Sequence, residues 1–307
     1  MHDISLQGQV AVVTGAGGGL GRSYALALAD AGAAVLVNDT GGALDGQGGE
    51  RGAAHAVVDE IVARGGHAAA NTDSVATPEG GEAIVAHAIA ELGDIDIVVN
   101  NAGILRDRSV GKIDWNDFQS VHDVHLRGSA HVSQPAFRHM REKGYGRFVF
   151  IGSNAGTFGN FGQAAYASAK GGIMSLSGIV AIEGERHGIL SNVVCPIART
   201  RMTDSMLDDA LDLDPDHVSP LIVYLSSREN TATHQIFSAG GGHFSRVFLG
   251  LTDGWFADEK STAGAIAEHF DDIVSTGHFS VPGSAAEEVA ALAARIAEST
   301  SGSEARR

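Results

Sequence analysis

The stretch VAVVTGAGGGLG, residues 10–21, decides how this chain folds. Its first five residues have the apolar and β-branched character of a buried strand, and a helical pattern follows the glycines. Gly15, Gly19 and Gly21 allow a tight turn and a close approach of the backbone to a pyrophosphate, to which a helix N-terminus offers free N–H groups. Leu20 breaks the stricter spacing G-x-G-x-x-G, so the turn alone is also compatible with a purely structural loop.

Short apolar runs alternate with amphipathic stretches from this turn to about residue 250. Strands are predicted at residues 10–14, 34–38, 67–71, 95–100, 147–151, 190–195 and 234–238, and helices near 20–31, 51–64, 79–91, 114–142, 163–187 and 215–226. Most of these strands are apolar throughout, as strands buried on both faces are. The alternation predicts an α/β fold: a Rossmann-like, doubly wound parallel sheet of about seven strands in a domain of residues 1–250.

Residues 251–307 follow a different pattern and are predicted to form a helical C-terminal extension. Apolar residues recur there at helical spacing, and Ser284 with Glu287 has the form of a capping box before the last helix. The tail from Ser299 to Arg307 is predicted to be disordered.

The composition argues against several kinds of partner and site. The formal net charge of −16 repels nucleic acid and anionic lipid, so neither is expected as a partner. The single cysteine, Cys195, cannot form a disulfide within the chain, which favours the cytoplasm. We expect neither a signal peptide nor an apolar run long enough to span a membrane. The histidines lack metal-ligand spacing, so no metal site is predicted.

A carboxylate after the second predicted strand indicates which nucleotide the glycine turn binds. Asp39 lies 18 residues after Gly21, where it can accept hydrogen bonds from the adenosine ribose hydroxyls and would repel a 2′-phosphate. We therefore predict NAD, and not NADP, as the cofactor. The alternative is that Asp39 only caps the turn before Gly41 and Gly42. Further cofactor contacts are predicted after the third and fourth strands, at Asp73, Ser74, Asn101, Ala102 and Gly103.

Three polar residues near the fifth strand have the chemistry of proton abstraction. Tyr166 and Lys170 are four residues apart at the start of a helical pattern, so they share one helix face. An ammonium beside a phenol favours the phenolate, whose pKa is otherwise roughly 10. Ser153 lies 13 residues before Tyr166 and can hold a substrate oxygen. The alternative for Tyr166 and Lys170 is an ordinary exposed pair on a helix.

Together, these residues make the chain resemble the short-chain dehydrogenase/reductase family over roughly residues 8–245. The resemblance implies that Tyr166 is the catalytic base and that Ser153 orients the substrate. It also implies that Lys170 lowers the pKa of Tyr166 and binds the nicotinamide ribose, so that Tyr166 and Lys170 both contact the cofactor. Two more cofactor contacts follow from it, at Pro196 and Thr200.

One branch of the family is resembled more narrowly, at residues 101–109, 124–129 and 158–163. That branch contains the dehydrogenase domain of peroxisomal multifunctional enzyme type 2 (17β-hydroxysteroid dehydrogenase type 4) and actinobacterial stand-alone relatives. Members of the wider family often carry an asparagine where this chain, like the branch, has His125. The resemblance implies that His125 takes over the catalytic support of a proton relay; the alternative is a packed helix histidine.

The branch implies a small-molecule substrate and NAD-dependent oxidation of (3R)-3-hydroxyacyl-CoA to 3-oxoacyl-CoA, in fatty-acid or sterol side-chain β-oxidation. Phe158 and Phe161 are predicted to form an apolar wall near Ser153, with Gln163 as a further substrate residue. The run up to Pro215 is predicted to be a substrate lid. Four arginines in the predicted loops could supply positive charge for the coenzyme A phosphates: Arg106, Arg108, Arg199 and Arg201. The alternative is that these arginines are solvated or form ion pairs within the chain.

Other functions remain open on the sequence. The chain is alternatively a hydroxysteroid dehydrogenase acting on a free ring alcohol, or a 3-oxoacyl-carrier-protein reductase, against which Asp39 argues. A non-catalytic dinucleotide-binding scaffold is a further possibility, against which the intact Tyr166 and Lys170 argue. The resemblance also implies a homodimer or homotetramer built through the helices predicted at residues 114–142 and 163–187.

Overall fold

The structure is a computed structural model, and it divides into two compact units, Met1–Val247 and Phe248–Arg307. It describes residues 3–42, 52–199, 211–257 and 261–304. The sheet of the first unit contains β1 Val10–Thr14, β2 Ala34–Asn38, β3 His67–Asn71, β4 Ile97–Asn100, β5 Gly146–Ile151, β6 Ile189–Pro196, β7 Gln235–Gly240 and β8 His243–Val247. All seven predicted strands are present, each with ends within two residues of the prediction.

The order of the strands is β3-β2-β1-β4-β5-β6-β7-β8, and the first seven run parallel. From β1 the chain builds outward to β2 and β3, and it then returns to place β4 on the other side of β1. This reversal opens a crevice at the carboxyl ends of β1 and β4, where ligands bind in doubly wound sheets. The predicted Rossmann-like fold class is confirmed.

An eighth, antiparallel strand extends the sheet beyond the prediction. β8 pairs with β7 through a two-residue loop, Gly241-Gly242, whose φ angles are 55° and 76°. Two consecutive residues with positive φ form the hairpin turn that matches strand twist, and glycine adopts it without strain. The sequence analysis missed β8 because its side chains are mostly exposed and lack the apolar character of the other strands.

Helices cover both faces of the sheet. They are α1 Gly19–Asp30, α2 Ala53–Ala63, α3 Pro78–Leu92, α4 Trp115–His122, α5 Gly128–Lys143, α6 Asn154–Phe158, α7 Ala164–Gly184 and α8 Ser219–Ser226. One apolar core lies under α1, α2 and α8, and a second lies under α3, α5 and α7. Residues of β1 enter both cores, Val13 the first and Val12 the second, because a central parallel strand is buried on its two faces.

The prediction of one regular helix at residues 114–142 is wrong. A π-helical turn, Asp123–Arg127, separates α4 from α5. The wider turn adds a residue to the helical repeat, which changes the direction of the side chains on it. Its buried member is His125, whose ring hydrogen-bonds to the backbone of Ile104 in the loop after β4. Apolar periodicity cannot reveal such a turn, because the helix continues on both sides of it.

Residues 164–187, α7 and the turn that follows it, are long and apolar enough to span a bilayer by length and composition alone. The sequence analysis expected no such run. Tertiary packing accounts for the hydropathy, since Ile173 and Val180 of α7 lie in the second core with β5 and β6. The helix therefore has the apolar content of a core helix, and it also carries Tyr166 and Lys170 near its N-terminus.

The second unit is mostly helical. It contains β9 Leu251–Thr252, α9 Ala263–Glu268, α10 Phe270–Val274, β10 Phe279–Ser280 and α11 Ala285–Glu304. At α11, the Ser284 hydroxyl accepts from the Glu287 N–H at 3.2 Å, and the Glu287 carboxylate accepts from the Gly283 N–H at 2.7 Å. This is the predicted capping box, except that the Glu287 carboxylate accepts from the N–H of Gly283 and not from that of the N-cap residue, Ser284. The helix includes residues 299–304, for which disorder was predicted, as a continuation of the Ala- and Glu-rich segment before them.

Candidate active site

A cleft of about 680 Å³ lies at the carboxyl ends of the strands. Its size falls in the range of about 300–1,000 Å³ that is usual for ligand sites. Thr200, a predicted cofactor contact, lies outside the described residues. The structure brings the other predicted cofactor contacts together as lining of this one cleft: Gly15, Gly19, Leu20, Gly21, Asp39, Asp73, Ser74, Asn101, Ala102, Gly103, Tyr166, Lys170 and Pro196.

The glycine turn is too tightly packed for larger residues. A Cβ atom on Gly21 would lie 2.2 Å from the Gly15 carbonyl oxygen, and Gly15 itself has a φ of 63°. Gly18, the N-cap of α1, supplies no side-chain cap, and the first turn of α1 contains no acidic residue. The backbone N–H groups of this first turn are thus available to hydrogen-bond a ligand that lies beside Gly18 and Gly19. The helix dipole favours an anion at that position.

The Asp39 carboxylate is held by two backbone N–H groups. Its Oδ2 accepts from Gly17 at 2.8 Å, and its Oδ1 accepts from Gly41 at 2.7 Å. The turn-capping alternative from the sequence is therefore real, and the same side chain also lines the cleft. The two roles are compatible, because a carboxylate has about four acceptor positions and the backbone uses two of them.

Polar side chains tie the strand ends together around the cleft. The Asn101 amide donates to the carbonyl oxygens of Thr14 and Gly15 at 2.9 and 3.0 Å. The Thr14 hydroxyl accepts from the backbone N–H groups of Asn101 and Ala102 at 3.0 and 3.1 Å. These four bonds join β1 to β4 at the reversal point of the sheet. The Asp73 carboxylate is held in a similar way, since it accepts from the Asn71 amide at 2.8 Å.

Ser153, Tyr166 and Lys170 meet at the other end of the cleft. Ser153 follows β5 and caps α6, where its hydroxyl accepts from the Ala155 N–H at 3.1 Å. Lys170 is buried and donates from Nζ to the Ile151 carbonyl oxygen at 2.6 Å. Its Nζ lies 5.6 Å from the centre of the Tyr166 ring. The arrangement puts a phenol, a hydroxyl and an ammonium beside one space.

Burial dominates the electrostatics of these groups. It raises the pKa of the Tyr166 phenol, and a hydrogen bond with Ser153 opposes this. Burial also lowers the pKa of Lys170 to about 8, so the ammonium stays mostly charged at neutral pH. The sequence analysis expected Lys170 to lower the pKa of Tyr166. That effect of Lys170 stays a prediction, and burial of the phenol is the largest influence on its pKa, so the net shift is upward.

His125 packs beside the catalytic side chains as a neutral ring. Its Nε2 lies 2.7 Å from the Ile104 carbonyl oxygen and 3.0 Å from the Ile104 nitrogen. The ring meets that of Tyr166 edge-on, with centres 5.2 Å apart at 88°. Burial, followed by the charge of Lys170, lowers the pKa of His125 to about 3. The ring is therefore uncharged at neutral pH, and a Cβ on Gly103 would collide with it.

The predicted apolar wall is not formed. Phe158 and Phe161 are 75% and 94% exposed, and neither lines the cleft. Gly159 and Gly162 have φ angles of 79° and 83°, and the chain turns outward at these two residues. Gln163 is buried and does line the cleft, next to Asn160. Asn160 was not predicted as a site residue, although it lies between the two phenylalanines within residues 158–163.

The expected basic patch is largely neutralised. Arg106 forms an ion pair with Asp117 at 2.8 Å, and Arg108 lies 3.9 Å from the same carboxylate. Arg199 also has interactions within the chain, and Arg201 lies outside the described residues, as does most of the predicted lid. Arg106 and Lys170 are the cations among the described residues that line the cleft.

Burial of neutral His125 predicts a pH-dependent stability. Its pKa is about 3 in the folded chain and 6.5 without burial, so below pH 6.5 the unfolded chain binds more protons. The contribution of this neutral ring to the free energy of unfolding is therefore present in full well above pH 6.5. It is lost progressively as the pH falls from 6.5 toward 3. Between pH 7.5 and 5.0, wild type should lose about 2 kcal/mol more free energy of unfolding than His125→Gln. Urea titrations at both pH values measure this; the exposed His67→Gln serves as control. Equal losses in wild type and His125→Gln would contradict the burial argument.

Comparisons with known proteins agree with this geometry. A model of the short chain dehydrogenase family matches residues 9–210. Peroxisomal multifunctional enzyme A of Dictyostelium discoideum is 42% identical over 295 residues, which cover 95% of this chain and 66% of that protein. Hydroxyacyl-CoA dehydrogenase ChsB1 of Mycobacterium tuberculosis is 42% identical over 241 residues, which cover 72% of this chain and 74% of that protein.

A solved structure is similar over nearly the whole chain. Full-length peroxisomal multifunctional enzyme type 2 from Drosophila melanogaster matches with a TM-score of 0.81 and 34% identity, covering 96% of this chain and 50% of that one. The chain therefore spans about two thirds or less of the length of these multifunctional relatives.

Proposed function

The chain belongs to the short-chain dehydrogenase family, and from this premise we propose that it oxidises (3R)-3-hydroxyacyl-CoA to 3-oxoacyl-CoA with NAD. Membership makes it an oxidoreductase that acts on CH–OH groups. The observation that carries the proposal is the convergence of Ser153, Tyr166 and Lys170 at one end of a cleft whose other end is an uncapped helix N-terminus. The family's nicotinamide cofactor requires a phosphate site at one end of such a cleft and the reacting groups at the other.

The residues of the cleft fit a dinucleotide. The uncapped first turn of α1 suits a pyrophosphate, and the close packing of Gly15 and Gly21 keeps the backbone open to it. Asp39 retains acceptor positions for ribose hydroxyls, and its charge opposes a 2′-phosphate. Lys170 lines the same cleft beside Tyr166, where its ammonium would be available to the second ribose. NAD is the nucleotide that these features favour.

The protein's part in the reaction is to hold the alcohol and take its proton. Ser153 donates to or accepts from the substrate oxygen and fixes its place beside Tyr166. Tyr166 receives the hydroxyl proton, as general base. The ammonium of Lys170, whose Nζ lies 5.6 Å from the centre of the Tyr166 ring, would favour the phenolate as it forms. A bound nicotinamide would supply the acceptor for the hydride of the alcohol carbon, so two electrons and both hydrogens are accounted for. His125 keeps the loop after β4 and the Tyr166 ring in position.

Two relatives support the thioester as substrate. One bears the name of a hydroxyacyl-CoA dehydrogenase, and the other that of a peroxisomal multifunctional enzyme. A hydroxysteroid dehydrogenase remains the second candidate, since an alcohol on a ring presents the same reacting atoms to Ser153 and Tyr166. A carrier-protein reductase is disfavoured by Asp39, and a non-catalytic scaffold by the complete set of reacting groups.

We further propose that the protein is a homodimer or homotetramer of the cytoplasm. On α7, Ile179 and Ile182 are 52% and 45% exposed, an apolar face that a second copy of the helix would cover. The one cysteine, Cys195, is a buried free thiol, which suits a reducing compartment.

Substrate preference tests the proposal. NADH formation at 340 nm is measured with (3R)- and (3S)-3-hydroxybutanoyl-CoA and with a free hydroxysteroid at matched concentrations. We expect kcat/KM for the (3R)-thioester to exceed that for the (3S)-thioester by at least about 100-fold, because one-sided placement of the base and hydride acceptor admits one face of the carbon. Turnover of the steroid alone, or of none of the three, would refute the assignment.

Cofactor preference tests the role of Asp39. Asp39→Asn removes the charge that opposes a 2′-phosphate but keeps one acceptor oxygen. The ratio of kcat/KM with NAD to that with NADP should fall by about 10-fold or more, since like-charge contacts cost several kcal/mol. The control is Asp73→Asn, another carboxylate of the cleft, which should leave the ratio within about twofold. An unchanged ratio in Asp39→Asn would show that the carboxylate is only a turn cap.

A further inference from the structure

A chain of three polar side chains borders the cleft next to Tyr166. The Gln163 amide nitrogen donates to Asp107 Oδ2 at 2.9 Å, and the Asn160 amide nitrogen donates to Gln163 Oε1 at 3.0 Å. Gln163 is the N-cap residue of α7, three residues before Tyr166, and only 7% of it is exposed. Gln163 and Asn160 line the cleft, whereas Asp107 is not among the residues that line it.

Asp107 fixes the direction of this chain. An amide has a donor and an acceptor end that exchange on a flip, but an ionised carboxylate can only accept. Gln163 must therefore turn its NH₂ group toward Asp107, and its oxygen is then left to accept from Asn160. With Asn or Gln in place of Asp107, either orientation of Gln163 would satisfy the bond.

The fixed orientation leaves donors for a ligand. Each NH₂ group has two hydrogens, and the chain of bonds uses one of each. The second N–H of buried Gln163 has no partner among the described residues, and Gln163 borders the cleft beside the base. A buried donor without a partner is costly, so a ligand with an acceptor at this position is favoured over one without it.

Asp107 is also close enough to act on Tyr166 electrostatically. Burial is the largest cause of the raised pKa of Tyr166, and the charge of Asp107 adds to it. The other carboxylate oxygen of Asp107, Oδ1, is buried and has no partner among the described residues. A partly unsatisfied carboxylate beside the base is unfavourable for the chain by itself.

We propose that Asp107 is a positioning residue that orients Gln163 to donate a hydrogen bond to a carbonyl oxygen two carbons from the reacting alcohol. The substrate class is then the β-hydroxycarbonyl compounds, of which a 3-hydroxyacyl thioester is one. The inference rests on the proposed function and deepens it, because it gives the site a means to distinguish such a thioester from a simple secondary alcohol.

The test compares two substrates that differ only in the acceptor. One is (3R)-3-hydroxybutanoyl-CoA, and the other is the matching 3-hydroxybutyl thioether of CoA, in which CH₂ replaces the carbonyl. Asp107→Asn and Gln163→Leu should each reduce the ratio of kcat/KM for the thioester to that for the thioether by about 10- to 100-fold, because any change in the pKa of Tyr166 affects both substrates alike. The double variant should lose no more than Gln163→Leu alone, because the two residues act through one bond.

Controls separate positioning from damage to the fold. Asp94 precedes β4, at the amino ends of the strands and away from the cleft, and pairs with His139 and Lys143, so Asp94→Asn should leave both substrates unaffected. Asp107→Glu keeps an acceptor-only group and should recover part of the thioester rate. NAD affinity near that of wild type establishes that a variant is folded.

The possible results distinguish a failure of the positioning role of Asp107 from a failure of the proposed function. Selective loss on the thioester in Asp107→Asn supports the positioning role. Equal loss on both substrates, or no loss on either, overturns it while leaving the proposed function intact if wild type oxidises the thioester. Failure of wild type to oxidise the thioester overturns the proposed function, and this inference with it.

Discussion

The carboxyl ends of β1 and β4 are joined by the four hydrogen bonds of Thr14 and Asn101, and the rest of the site is built on this junction. It fixes the glycine turn on one side of the reversal point and the loop that carries Gly103 on the other. Because Gly15 and Gly21 leave no room for a Cβ, the turn and the Asn101 side chain have one compact arrangement. The cleft follows from that arrangement.

A second constraint is the burial of charge near the reacting atoms. The ammonium of Lys170 is held in the interior by one backbone carbonyl, and its pKa of about 8 reflects the cost of removing it from water. The same desolvation raises the pKa of Tyr166. Burial therefore disfavours the charged form of both groups, the phenolate of Tyr166 and the ammonium of Lys170. His125 adds no charge, since its pKa of about 3 keeps it neutral.

The sequence predicted most of the fold and the cofactor end of the cleft, because both depend on local signals. Apolar strands that are buried on both faces, the glycine turn and the carboxylate at Asp39 are each visible within a few residues. What the sequence did not show arises from contacts between distant segments: the π turn at His125, the outward course of the chain at Phe161, and the pairing of Asp107 with Gln163. Periodicity indicates whether a residue faces the interior, but not which distant residue it meets there.

The most direct test of the account is the rate of hydride transfer in Tyr166→Phe, measured as NADH formation in a single turnover with (3R)-3-hydroxybutanoyl-CoA, beside NAD affinity measured by titration. Removal of one hydroxyl should reduce the rate by about 10²- to 10⁴-fold, the contribution of a general base. NAD affinity should stay within about threefold, since the phosphates and Asp39 lie at the other end of the cleft. A rate within about tenfold of wild type would contradict the assignment of Tyr166 as the group that takes the proton.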